Sequence, residues 1–232
     1  MLRYYNIRIL NLKNKYIIRR NNVTLQGENM NNLYDINLEG IGKVNGGNYK
    51  DIKISGIGTI LDEIVCQEII CEGVCKAKGS ISCNNISVEG TFDSCGSIEA
   101  NDKISISGIM KANGNIQGRE ITIDGKIKIS GLLSGDKIKI MSMGRNIVKE
   151  IGGEEIIILE HKKNFINNIL MPNKLTSNSI EGDIIELENT ECEIVRGKNI
   201  TIKSGCKIKR IEYTGEISID KNSNVEMLIK VE

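Results

Sequence analysis

Tryptophan is absent from this chain, proline and histidine occur once each, and aromatic residues make up only 3% of it. A core of any size must therefore be built from Ile, Val, Leu and small residues. No run approaches the ~18 apolar residues that would span a bilayer, and the start, MLRYYNIRIL, lacks the unbroken apolar stretch and small-residue cleavage site of a signal peptide. A charge excess is missing too, with 31 Lys+Arg against 30 Asp+Glu. Nucleic-acid binding is therefore not expected. One local exception is the basic run Arg3, Arg8, Lys13, Lys15, Arg19 and Arg20, with no acid before Glu28. It reads as the solvated edge of a terminal strand, or as a contact for an anionic partner. Seven cysteines, an odd number, suit a reducing compartment better than a disulfide framework. The expectation from these features is a cytoplasmic protein, with membrane association as an option.

What the chain has in abundance is glycine, 24 of them spread along its length. They keep time. A pattern Ile-x-Ile-x-Gly places glycines at 56, 73, 90, 108 and 125, in steps of 17 or 18, and Ser142 takes the next place. Aliphatic pairs share the step: Ile52/Ile54, Ile69/Cys71, Ile86/Val88, Ile104/Ile106, Ile121/Ile123 and Ile138/Ile140. Two more ladders run Gly58, Cys75, Phe92, Met110, Ile127 and Ile64/Cys66, Ile81/Cys83, Ile98/Ala100, Ile116/Gly118, Leu133/Gly135.

Apolar residues at i and i+2 share one face of a strand, and about three such segments fill each period. One turn cannot bury its inner face, but stacked turns spaced ~4.8 Å apart can. The expectation is an all-β parallel β-helix, a solenoid of three-faced rungs of about 17 residues. An antiparallel sandwich or barrel would not hold one strict step.

The rhythm breaks from Leu159 to Ser179, where His161, Pro172 and the helically spaced Phe165, Ile166, Ile169 and Leu170 lie. The reading is an N-terminal extension (1–32), a first β-helix block (33–158), an insertion with one short helix (159–179) and a second block of the same solenoid (180–232). Pairs Ile185/Leu187, Ile200/Ile202 and Ile217/Ile219 mark the second block.

Cys66, Cys71, Cys75 and Cys83 could together ligate zinc, yet each falls on an inward ladder position and no CxxC pair occurs, so they read as small core residues. A general base at His161 would need partners, and the lone histidine of an irregular segment reads as a surface residue. Hexapeptide-repeat acyltransferases keep 18-residue rungs and a cleft histidine, and pectin-degrading β-helices use longer rungs with an acidic and basic outer groove; this chain has neither pattern. No GxxxxGK[ST] phosphate loop is present. No catalytic residue, cofactor or metal site is expected.

With its rungs laid out, the chain resembles the bactofilins, bacterial polymer-forming cytoskeletal proteins. The 17-residue Ile-x-Ile-x-Gly rungs and corners such as Lys76-Ala77-Lys78-Gly79-Ser80 carry the likeness. It is closest to longer Gram-positive members, through Val148–Glu154, Ile180-Glu181-Gly182-Asp183, Ile194–Asn199 and Gly205-Cys206 in that order. The resemblance covers roughly residues 33 to 230. It implies a right-handed β-helix that assembles end to end without nucleotide and serves as a scaffold, often beside the membrane. Residues 1–32 depart from the flexible tails of that family and would forbid polymerisation if they capped the first rung.

Two surfaces are candidates for function. The C-terminal segment with Val225, Met227, Leu228, Ile229 and Val231 reads as an adhesive edge for self-association, tempered by alternating Lys and Glu. Phe165, Ile166, Ile169 and Leu170 read as a partner-binding insertion. The expected function is a non-enzymatic scaffold that associates with itself; the alternative is a β-helix module that docks a protein or the envelope without polymerising.

Overall fold

The computed structural model describes residues 33–161 and 173–231. Among these residues there are twenty strands and no helix, every recorded strand pairing is parallel, and the chain winds through about 11 turns of a β-solenoid. The register is the one the period implies. Ile52 pairs with Ile69, Ile69 with Ile86, Ile86 with Ile104 and Ile104 with Ile121. Phe92 stacks between Cys75 and Met110. All of these inward residues are buried, and in mid-stack most are 0–2% exposed.

The glycine series has a cause other than backbone freedom. At Gly56, Gly73, Gly90, Gly108 and Gly125 a Cβ would lie 1.9–2.1 Å from the carbonyl oxygen of the glycine one rung earlier. That same oxygen accepts the hydrogen bond that closes the next rung: Val74 N donates to Gly56 O at 2.8 Å, and Thr91 N to Gly73 O at 2.8 Å. Side chains are thus excluded from this corner by the rung spacing itself.

The ladder breaks at Ser142, where the corner is rebuilt from polar side chains. Buried Asn146 accepts from Ile127 N at 2.6 Å and donates to Ser142 Oγ at 2.7 Å. Asn173 accepts from Gly144 N at 2.7 Å and donates to His161 O at 3.1 Å. His161 Nε2 lies 3.3 Å from Asp124 Oδ1.

The interruption is narrower than the sequence suggests. The strand Arg145–Glu160 runs through Leu159, and the next strand, Lys174–Leu187, resumes the stack at Lys174 rather than Ile180. Leu175 pairs with Asn146 and both are buried, as is Ser177. A serine at an inward place, donating to Ser179 O at 3.1 Å, hides this strand from an aliphatic count. The expected helix with Phe165, Ile166, Ile169 and Leu170, and the extension 1–32, lie outside the described residues.

Cys66 and Cys83 pack as side chains of a tapering ladder, and Cys71 and Cys75 lie on two other inward ladders. Along one inward column the residues run Tyr49, Cys66, Cys83, Ala100 and Gly118, then Gly135, Gly153, Gly182 and Gly197, and end at Tyr213. Where the column is glycine, isoleucine δ-methyls take the space: Ile156 Cδ1 would sit 3.1 Å from a Cβ on Gly182, and Ile185 Cδ1 2.9 Å from one on Gly197. Burial pushes the Cys66 thiol up to about 12, and Cys192 likewise to about 12. Cys75 is raised chiefly by its hydrogen bond with Cys71, then by burial. Cys95 is the one exposed thiol.

In the second block, the motif around Arg196 builds an ionic column on the outer surface. Glu181, Arg196 and Glu212 stack on consecutive rungs. Arg196 Nε donates to Glu212 Oε2 at 2.7 Å, its Nη1 lies 3.9 Å from Glu181 Oε2, and Arg210 also pairs with Glu212. Both carboxylates are only 11–12% exposed, so this pairing offsets a real desolvation cost.

Three outcomes follow for stability. Ile104→Asp buries an uncompensated charge and lowers unfolding free energy by roughly 3–5 kcal/mol, whereas Lys103→Asp, on the outer face, costs at most about 1 kcal/mol; urea denaturation separates them. Gly90→Ala drives a methyl into Gly73 O and costs about 1–3 kcal/mol. Native alkylation labels Cys95 quickly and the other six only on unfolding. Because folded Cys66 and Cys192 hold their protons beyond the ordinary value of 9.0, the unfolded chain deprotonates first at these two. Their contribution is intact below 9.0 and is lost as pH rises toward 12, so the urea midpoint falls across that window.

Candidate functional site

A solenoid finishes its hydrogen bonds everywhere except at its two ends. At the C-terminal end, the strands Ile217–Ile219 and Asn224–Lys230 pair downward with the preceding rung, and no described residue pairs with their outer edges. The core ladders surface here. Ile202, Ile208 and Ile211 are 0–2% exposed, yet their stacking partners one rung later are not: Ile219 is 39% exposed, Leu228 47% and Val225 half-buried.

The five residues singled out from the sequence divide by register. Val225 and Leu228 continue inward ladders, over Ile208 and Ile211. Met227, 52% exposed, and half-buried Ile229 sit instead over Arg210 and Glu212, at a corner and on the outer surface. Val231 N donates to Tyr213 O at 2.8 Å and ties the last described residue down. Ile219 belongs to the same exposed cross-section but lies outside the segment chosen from the sequence. The Ile217/Ile219 pair was the signal for it, since no described residue stacks on the outer side of this inward pair.

Charges fringe this end. Glu226 and Lys230 point outward, and Lys230 Nζ lies 5.9 Å from the Tyr213 ring centroid, a cation–π distance. Covering an aliphatic side chain fully is worth about 1.5–3 kcal/mol, and roughly half of that is still to be gained at Leu228 and Ile219.

The N-terminal end is built differently. Tyr49, 6% exposed, fills the column position that Cys66 and Cys83 hold in later rungs. Its hydroxyl donates to Asn45 O at 3.0 Å, and its ring meets Tyr34 edge to face at 5.5 Å. Burial raises the hydroxyl pKa, with Tyr34 adding to the effect. Leu38 folds over Gly42 and Gly58, whose missing side chains make room for it. A large aromatic and a folded leucine thus plug one end, while the other shows an open aliphatic cross-section.

On the outside, one shallow groove of about 290 Å³ is lined by Glu120, Thr122, Lys137, Lys139, Glu155 and Ile157 among others. Glu120 stacks on Lys103, and Glu155 on Lys137. The column alternates in sign, which neutralises each carboxylate through the lysine beside it. Among the described residues no helix is long and apolar enough to cross a membrane.

No family model matches the chain, and no solved structure matches it. Two curated proteins of Bacillus subtilis (strain 168) do. "Uncharacterized protein YhbE" is 39% identical over 106 residues, 45% of this chain and 45% of that protein. "Uncharacterized protein YhbF" is 37% identical over 102 residues, 44% of this chain and 42% of that protein. The likeness thus spans less than half the length of either relative.

Proposed function

We propose that this protein is a bactofilin-like, non-enzymatic scaffold that associates with itself through its rung ends, without nucleotide, in the cytoplasm. The observation that carries this reading is the open cross-section of the last rung, where ladders that are sealed one turn earlier lie 39–47% exposed at Ile219 and Leu228. A second rung laid on that surface would bury the aliphatics and pair the free strand edge in one step. The two ends differ, one plugged by Tyr49 and one open. A C-terminal end meeting another C-terminal end gives a closed dimer, and a C-terminal end meeting an N-terminal end gives a filament.

Sedimentation velocity and negative-stain microscopy of the full chain test the reading. The wild type forms dimers or filaments in the absence of nucleotide, and Leu228→Asp shifts it to monomer while the thermal transition of the remaining stack moves little. A wild type that stays monomeric at every concentration and salt refutes the proposal.

A further inference from the structure

The solenoid is unevenly dressed. Along the glycine corners from Gly40 to Gly125, three outward columns run side by side. Just before the glycines stand Glu39, Ser55, Glu72, Glu89, Ser107 and Asp124, all exposed. Just after them the column Ile41, Ile57, Val74, Thr91 and Ile109 stacks in register, and Lys126 continues it. Two residues further on runs a third column, Lys43, Thr59, Lys76, Asp93, Lys111 and Lys128. The aliphatic members of the middle column are 85%, 51%, 47% and 42% exposed in chain order. None of the five lysines here makes an ion pair with a described residue, whereas Lys53, Arg119, Lys174, Arg196, Lys203 and Lys209 elsewhere all do. An exposed aliphatic stripe with acids on one side and unmatched lysines on the other marks an interaction surface.

We propose that this face docks an amphipathic helix of a partner protein, its apolar ridge along the column from Ile41 to Ile109 and an acidic flank over the lysines. Spacing selects a helix. Rungs repeat every ~4.8 Å, and a helix brings a side chain to one line once per turn, every ~5.4 Å. A strand laid along the axis brings one every ~6.8 Å and is out of step within two or three rungs. Nor can a strand join the sheet here, because Ile57–Ile60, Val74–Ala77 and Thr91–Ser94 are each paired on both sides. The stripe is about 19 Å long, which about 13 helical residues cover. Charge then selects the flanks. Acids on one side of the helix meet the lysines, and acids on its other side would meet Glu39, Glu72 and Glu89, so the two flanks fix which way round the helix lies. Nucleic acid fits less well: none of the columns holds an aromatic on which bases could stack, and isoleucine gains nothing against phosphate. A second copy also offers less, because acids of its own corner are already engaged, Glu72 by Lys53 and Ser55, and Asp124 by His161. The inference is independent of rung-end association.

Fluorescence anisotropy of labelled synthetic peptides with the full chain tests it. The probe is a helical peptide of about 14 residues, with leucine at every third or fourth place, glutamate along one flank of that stripe and alanine elsewhere. Wild type binds it, and less so as salt rises. The variant Lys76→Glu/Lys111→Glu/Lys128→Glu binds it more than tenfold more weakly. Lys103→Glu/Lys137→Glu/Lys139→Glu, with the same change in net charge on another face, retains most of the binding. A peptide with lysine in place of the flank glutamates reverses the order, binding the Lys76→Glu/Lys111→Glu/Lys128→Glu variant better than wild type. Ile57→Ser/Ile109→Ser weakens binding severalfold with an unchanged melting transition, and a proline at the centre of the peptide, which breaks the helix, abolishes it. Leu228→Asp, which targets rung ends, binds as wild type does, so failure of either proposal is recognised separately. No binding of the glutamate peptide, equal binding by the two lysine variants, an unreversed order with the lysine peptide, full binding by the serine variant or of the proline peptide, or loss of binding in Leu228→Asp each overturns the proposal. Capture of duplex DNA or of phosphatidylglycerol vesicles in preference to the peptide overturns it too. So does dissociation of wild-type oligomers by the serine substitutions, which would assign the face to a second copy.

Discussion

In-register hydrogen bonding between successive turns is the constraint on which the rest of this molecule depends. Stacking rungs at ~4.8 Å forces each residue to sit on its own counterpart one period earlier. A choice made at one place is then repeated or punished along the whole column. The glycine corner shows the strict form, because the carbonyl that closes one rung occupies the space where the next rung's Cβ would lie. The tapering column shows the permissive form. Side chains shrink from Tyr49 through cysteine and alanine to glycine, and neighbouring isoleucines fill what is vacated. Size is conserved across the section, not at the position.

The same constraint explains how much could be read from the sequence. Inward positions were legible because a period of 17 makes apolar identity recur, so Cys66, Cys71, Cys75 and Cys83 resolved into core packing. Outward positions obey the same period, and the column from Ile41 to Ile109 was open to the same bookkeeping. Alternation alone hides it, because the residue flanking an inward pair is ordinarily solvated and polar. The strand beginning at Lys174 was hidden for a different reason. Its inward places hold Leu175 and Ser177, and a buried serine carries no hydrophobic signal although its hydroxyl is satisfied by Ser179 O. Asn146 was unreadable for a related reason: its burial is stabilised by partners that only the fold assembles, Ile127 N and Ser142 Oγ. The ion column of Glu181, Arg196 and Glu212 needed the register of three rungs before its charges could be seen as one group.

Stability in such a stack is close to a sum over neighbouring rungs, so the interior and the ends carry different burdens. Interior rungs are sealed on both sides and set the cooperativity. Among the described residues the two end rungs have one neighbour each, and they contribute least to stability. The chain treats them unequally, spending an aromatic pair, Tyr34 and Tyr49, on one end and leaving Ile219 and Leu228 open on the other. An end that is plugged can still accept a partner through its backbone edge, but gains less from apolar burial when it does. Both ends carry a tyrosine in this column, Tyr49 and Tyr213, so the difference between them lies in the neighbours: Tyr34 packs on the first, and Ile219 and Leu228 lie exposed beside the second.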